Sequence, residues 1–163
     1  MIGLDKLSQP GDTLIIQSLS PQMTGLIGEN LGKILRPGDL VALEGDLGAG
    51  KTVLARGLIR GVTGSDIPAR SPTFMLACDY PGLLPLRHAD LYRLKTLEEL
   101  ETIGLFDETS HLRVTVVEWA DRLPVETRAG AILINIADIS ETERKIAITA
   151  DARVIGKMMD AAA

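Results

Sequence analysis

Residues 45–52 read Gly-Asp-Leu-Gly-Ala-Gly-Lys-Thr. Each residue type in that run suits one task, the holding of a phosphate chain. Backbone N–H groups wrap around anionic oxygens only where side chains are scarce and the backbone bends freely, which Gly45, Gly48 and Gly50 permit. Asp46, Leu47 and Ala49 occupy the positions between, so their main chain belongs to the same cradle. Lys51 brings a positive charge to the β- and γ-phosphates, and Thr52 offers a hydroxyl to a magnesium ion. The run fits G-x-x-x-x-G-K-[ST], the pattern of a phosphate-binding loop, or P-loop.

A magnesium triphosphate calls for acid groups nearby. Glu118 closes the apolar segment Val-Thr-Val-Val-Glu. It is expected to hold Mg²⁺ directly or through water, or to orient an attacking water. In His-Ala-Asp-Leu-Tyr-Arg (88–93), the two-residue period of a strand predicts one shared face for His88, Asp90 and Tyr92. Asp90 is expected to contact a metal-bound water or polarise the nucleophile, while His88 reads as structural. Ser71 and Thr73 flank Pro72 and present hydroxyls that can sense a terminal phosphate, as a switch loop does. Trp119, the only tryptophan, adjoins Glu118 and is expected to face the opposite side of the same strand.

These groups must be positioned by strands and helices. Leu40–Glu44 is a continuous apolar run, as in a strand buried on both faces, and it feeds straight into the loop. Residues 51–62 carry Val53, Leu54, Leu58 and Ile59 at helical spacing. Upstream, residues 13–18 read as a strand, and Ser20 caps a helix that starts at Pro21. Strands are predicted at 73–80, 86–92, 113–119, 131–137 and 144–150, with a loop at 61–72. A short helix is predicted from the capping-box pattern at Thr96 to near Gly104. Residues 151–163 read as a fraying helix. The fold class is therefore α/β: a P-loop NTPase-like three-layer sandwich around a mixed, mostly parallel sheet.

The chain has 163 residues, 45% hydrophobic, with one cysteine and a net charge of −5. These values suggest a single domain over 1–163, with a core at 13–150 and a tail at 151–163. The acidic balance argues against a broad nucleic-acid surface. Lone Cys78 cannot form an internal disulfide. No run is long enough to span a membrane, and no signal-peptide core opens the chain. The expectation is a soluble, cytoplasmic protein.

Gly-Asp-Leu-Gly-Ala-Gly-Lys-Thr, Ser-Pro-Thr-Phe, His-Ala-Asp-Leu-Tyr-Arg and Val-Glu-Trp-Ala-Asp, in this order and spacing, resemble the TsaE (YjeE) family over about residues 18–150. The resemblance implies a small ATPase of tRNA threonylcarbamoyladenosine (t6A37) synthesis that binds ATP and Mg²⁺. It implies Thr52 and Glu118 as metal ligands, Asp90 as needed for hydrolysis, and Thr24 and Arg144 as nucleotide contacts. It also implies a TsaB–TsaD heterodimer as partner, with tRNA engaged indirectly through it. Where the family commonly has proline and glutamate two and three places after the glutamate, this chain has Ala120 and Asp121.

Two rivals are a GTPase-like switch and a small-molecule kinase. Asp-Tyr-Pro-Gly (79–82) and Asn-Ile-Ala-Asp (135–138) match guanine-nucleotide motifs poorly, and no insertion is long enough for a kinase lid. A non-hydrolysing nucleotide-binding module is disfavoured by the intact Lys51, Thr52, Asp90 and Glu118. The sequence offers no obvious glutamine to place water and no arginine poised as a finger. That predicts slow intrinsic turnover and a site completed by a partner.

Overall fold

The computed structural model describes residues 11–66, 68, 72 and 76–163. Ser71 and Thr73, with the proposed start of the third strand at 73–75, lie outside the described residues. Seven strands form one sheet in the order β1-β7-β6-β2-β5-β4-β3. They are β1 (Asp12–Ser18), β2 (Leu40–Glu44), β3 (Ala77–Tyr80), β4 (Leu86–Asp90), β5 (Val114–Glu118), β6 (Ile132–Asp138) and β7 (Arg144–Ala150). The helices are α1 (Pro21–Gly32), α2 (Lys51–Thr63), α3 (Glu98–Ile103) and α4 (Ala152–Ala162).

The expectation of a mixed sheet holds, but "mostly parallel" does not. Neighbouring strands pair in parallel only across the central β6-β2-β5-β4, while the β1-β7, β7-β6 and β4-β3 pairs are antiparallel, so half of the six pairings are parallel. The reason is connection length. The segments from β3 to β4 and from β6 to β7 are too short for a crossover, so each folds back as a hairpin. The layering is also uneven. Leu31, Leu54, Leu58 and Val154 of α1, α2 and α4 pack with Leu43, Val116, Ile134 and Ile148 on one face. On the other face Leu100, Leu105, Ala120 and Leu123 cover chiefly Ala42, Ala89 and Val117 of β2, β4 and β5. The expected third layer is thus a short helix and turns.

The tail is docked along its apolar side. Asp151 caps α4 by accepting from the Val154 N–H at 2.9 Å, and Val154, Ile155 and Met158 are buried. Arg153 reaches back to Asp39 at 2.9 Å, tying α4 to the entry of β2.

Helices α1 and α2 meet through glycines. A Cβ on Gly57 would collide with the Gly25 carbonyl, and one on Gly61 with that of Glu29. The glycines let the two backbones approach closely, which fixes α2 and therefore the loop ahead of it. Gly57→Ala is expected to lose about 1–3 kcal/mol through overpacking. Gly25→Ala, whose new methyl meets nothing within 4 Å, should gain up to about 1 kcal/mol from helix propensity. Thermal melts of the two variants check the opposite signs.

Candidate functional site

The parallel register sets the site. Asp90 of β4 lies beside Glu118 of β5, and Glu118 lies beside Leu43 of β2. The carboxyl ends of three adjacent strands therefore share one edge, where ligands settle in open α/β sheets. The glycine-rich loop leaves β2 at that edge and enters α2.

The loop's geometry explains its composition. Gly50 takes φ 103° immediately before α2. Gly45 takes φ 149°, and a Cβ there would stand 2.5 Å from the Ile136 carbonyl oxygen. Neither position suits another residue. Helices α1 and α4 have side-chain caps, from Ser20 and Asp151, whereas α2 has none. Its first-turn N–H groups are thus left for an outside acceptor, with the positive end of the helix dipole behind them.

Lys51 and Thr52 begin α2 on the floor of a cleft of about 430 Å³, which is also lined by Gly48, Gly50, Asp90, Tyr92, Arg93, Glu118 and Trp119. The Thr52 hydroxyl donates to Glu118 Oε1 at 2.8 Å. The other carboxylate oxygen, Oε2, lies 2.8 Å from His88 Nε2. Glu118 is almost wholly buried. Burial alone would raise its pKa, but His88, the Thr52 hydroxyl and Lys51 outweigh it and hold the carboxyl below the ordinary glutamate range. The lowered value favours the ionised carboxylate. Asp90 behaves in the opposite way. Burial lifts its pKa above the ordinary value, and the neighbouring Glu118 charge adds to that, against the Tyr92 N–H bond. Two adjacent carboxyls are thereby given different proton affinities, a division suited to acid–base work.

Lys51 is folded back. Its ammonium donates to the carbonyls of Gly45 at 2.5 Å and Asp46 at 2.7 Å, and sits 4.0 Å above the Trp119 ring. Burial lowers its pKa, opposed by Glu118, Asp90 and Asp46.

The placement of the other expected residues varies. Asp46 and Leu47 are exposed on the loop, and Ala49 is buried beneath it. Thr24 lies behind the loop, buried, its hydroxyl 2.8 Å from that of Ser18 and also bonded to the Ser20 carbonyl. Arg144 reaches the loop from β7 and donates to the Ala49 carbonyl at 2.9 Å. His88 and Asp90 share a face of β4 as expected. Tyr92 lies past the strand end, yet its ring returns to the cleft, 5.0 Å from that of Trp119.

Trp119 corrects the sequence reading. It does not face away from Glu118. Strand β5 ends at Glu118, and Trp119 takes a left-handed conformation, φ 58°, that turns its ring into the cleft beside the carboxylate. Strand alternation no longer applies there, and a strained backbone of this kind is common at functional sites. Sequence reasoning also missed the link from His88 to Glu118. The two-residue spacing from Asp90 carried that signal, once β4 and β5 are paired in parallel. The Arg128–Glu44 ion pair, 2.6 Å at the entry to the loop, had no local signal at all.

A magnesium ion fits this donor set. The Thr52 hydroxyl and the Glu118 carboxylate, hydrogen-bonded at 2.8 Å, are both oxygen donors, the ligand type that magnesium takes. Among the described residues, no group of three or more His, Cys, Asp or Glu is arranged to hold a metal.

A strand, a helix without a side-chain cap and a glycine-rich loop between them, facing a buried carboxyl on the next strand, define an α/β protein with a cleft at the carboxyl edge of its sheet. The chain shares that frame with known proteins. It belongs to the TsaE family: the family model described as "Threonylcarbamoyl adenosine biosynthesis protein TsaE" matches residues 18–146. The tRNA threonylcarbamoyladenosine biosynthesis protein TsaE of Bacillus subtilis is 38% identical over 136 residues, 82% of this chain and 84% of that one. The protein of the same name from Streptomyces coelicolor is 40% identical over 131 residues, 76% of this chain and 87% of that one. The crystal structure of Bacillus subtilis YdiB superposes with a TM-score of 0.72 at 29% identity, covering 96% of this chain and all of that one. Among the described residues, no helix is long and apolar enough to cross a membrane.

Proposed function

We propose that this protein is a magnesium-dependent ATPase that serves as an accessory subunit in the threonylcarbamoyladenosine modification of tRNA. In this reading its fold is a P-loop NTPase sandwich, and its ATP cycle paces a TsaB–TsaD pair in the cytoplasm. The observation that carries the reading is the 2.8 Å bond from Thr52 to the buried Glu118, directly beside the N-terminus of α2. The loop N–H groups and Lys51 grip the phosphates, with Lys51 leaving the Gly45 and Asp46 carbonyls to do so. Thr52 and Glu118 would hold Mg²⁺, which would supply neutralising charge at the transferring phosphate. Asp90, with its raised proton affinity, stands next to Glu118 where it can take a proton from the attacking water. Glu118 is held in place by His88.

The cleft is open at Tyr92 and Arg93, and both are exposed. This supports slow turnover by the isolated protein and closure of the site by a partner. The experiment has two parts. Melting temperature is measured with Mg-ATP and with Mg-GTP, since a ligand bound by the native state alone raises it; protection by ATP is expected to exceed that by GTP. Phosphate release is then measured with and without the TsaB–TsaD pair, and a rise is expected. Equal protection by both nucleotides would defeat the adenine assignment, and release that depends on a small-molecule acceptor would establish a kinase instead.

A further inference from the structure

Two cations collect carbonyl oxygens of the glycine-rich loop. Lys51 takes those of Gly45 and Asp46. Arg144 takes those of Ala49, at 2.9 Å, and Gly48, at 3.4 Å. The same guanidinium gathers the β6–β7 turn through the carbonyls of Ser140 and Glu143, both at 2.9 Å, and is oriented by Asp138 at 3.0 Å. One of the two cations, Lys51, is the group that a phosphate recruits. When it turns to the ligand, the Gly45 carbonyl gives up its bond to Lys51 and the Asp46 carbonyl keeps the Ala49 N–H at 3.0 Å, while Arg144 still anchors the loop from outside.

We propose that Arg144 is a positioning residue that keeps the loop in its binding-competent shape while Lys51 serves the ligand. It acts through the loop backbone and does not itself touch the phosphates. The inference deepens the ATP-binding reading and rests on it for its affinity test. The planar fork matters, because a single ammonium cannot reach both loop carbonyls and the turn together. A loop that loses this anchor spends only part of its time in the competent shape. Apparent affinity falls by that fraction, while chemistry in the assembled complex is untouched.

The test compares the parent with Arg144→Ala, Arg144→Lys and Asp138→Ala. Without nucleotide, hydrogen exchange across residues 45–50 is expected to rise in Arg144→Ala, while that of buried β2 stays as in the parent. With Mg-ATP, its dissociation constant should rise about tenfold, as when the competent fraction falls to a tenth, and turnover at saturation should stay within about twofold of the parent. Arg144→Lys should resemble Arg144→Ala, and Asp138→Ala should show a smaller loss in the same direction. If Arg144→Ala does not fold, the lysine and Asp138 variants decide the matter by the same readings. Parent-like exchange in the loop overturns the inference, as does full rescue by lysine or a fall in saturated turnover that parallels affinity. If the parent binds no Mg-ATP while exchange still rises in Arg144→Ala, the ATP reading fails and the bracing role stands.

Discussion

Lys51→Ala should melt at one temperature whether or not Mg-ATP is present, whereas the parent is stabilised by it. At a ligand concentration one hundred times the dissociation constant, the parent gains about 2.7 kcal/mol. The variant loses an ammonium that would sit near the phosphates. At about 4 Å and an effective dielectric of about 20, such a contact contributes about 4 kcal/mol, roughly a thousandfold in affinity. The ligand-free fold should survive. The substitution removes two hydrogen bonds to the Gly45 and Asp46 carbonyls, but it also removes a buried charge whose desolvation already depresses its pKa. The control is therefore the melt without nucleotide, which should shift little. Parent-like protection of Lys51→Ala by Mg-ATP would show that the charge is not what grips the ligand.

Glu118→Gln should retain nucleotide binding and lose turnover by about a hundredfold or more. The amide preserves the shape of the side chain and can accept from Thr52. It lacks the negative charge needed to share a magnesium ion with that hydroxyl. Glu118→Ala is the harsher test, because it leaves His88 buried with no acceptor for Nε2. A stability cost of about 1–3 kcal/mol is expected from that alone. Nucleotide affinity and single-turnover rate, measured separately on both variants, divide the binding role from the chemical one. Hydrolysis of ATP by either variant at the parent rate would remove Glu118 from the mechanism.

The parts of the site legible in the sequence are those set by local chemistry. A strand, three glycines, a lysine and a threonine in one run carry their own geometry, so the loop and the start of α2 can be read directly. Glu118 and Asp90 can be read as strand-end carboxylates, because Val114–Glu118 and Leu86–Asp90 form strands as their apolar content suggests. What brings them together is the pairing of β4 with β5 and of β5 with β2, which no single segment encodes. The errors have the same origin. Strand alternation misplaces Trp119, because the strand ends one residue earlier. The tail reads as fraying because its apolar positions, Val154, Ile155 and Met158, have value only against a surface assembled from α1, β1 and β7. Arg128 and Arg144 serve the loop from residues far along the chain, and their partners are backbone oxygens or a carboxylate with no pattern of its own.

The pairing of β1 with β7 bears on how the molecule is made. Strand β1 leaves the ribosome before every other strand of the sheet, yet its partner, running from Asp12 opposite Ala150 to Ser18 opposite Arg144, is translated after all of them. Until β7 emerges, β1 has no neighbour in the sheet, and α1 cannot be clasped by α4. The loop, α2, β4 and β5 are all complete before the frame around them closes. A nascent chain stalled before β7 would therefore carry the glycine-rich loop, Asp90 and Glu118 on an unfinished scaffold that still lacks Arg144, with β1 left unpaired as a target for proteases and chaperones.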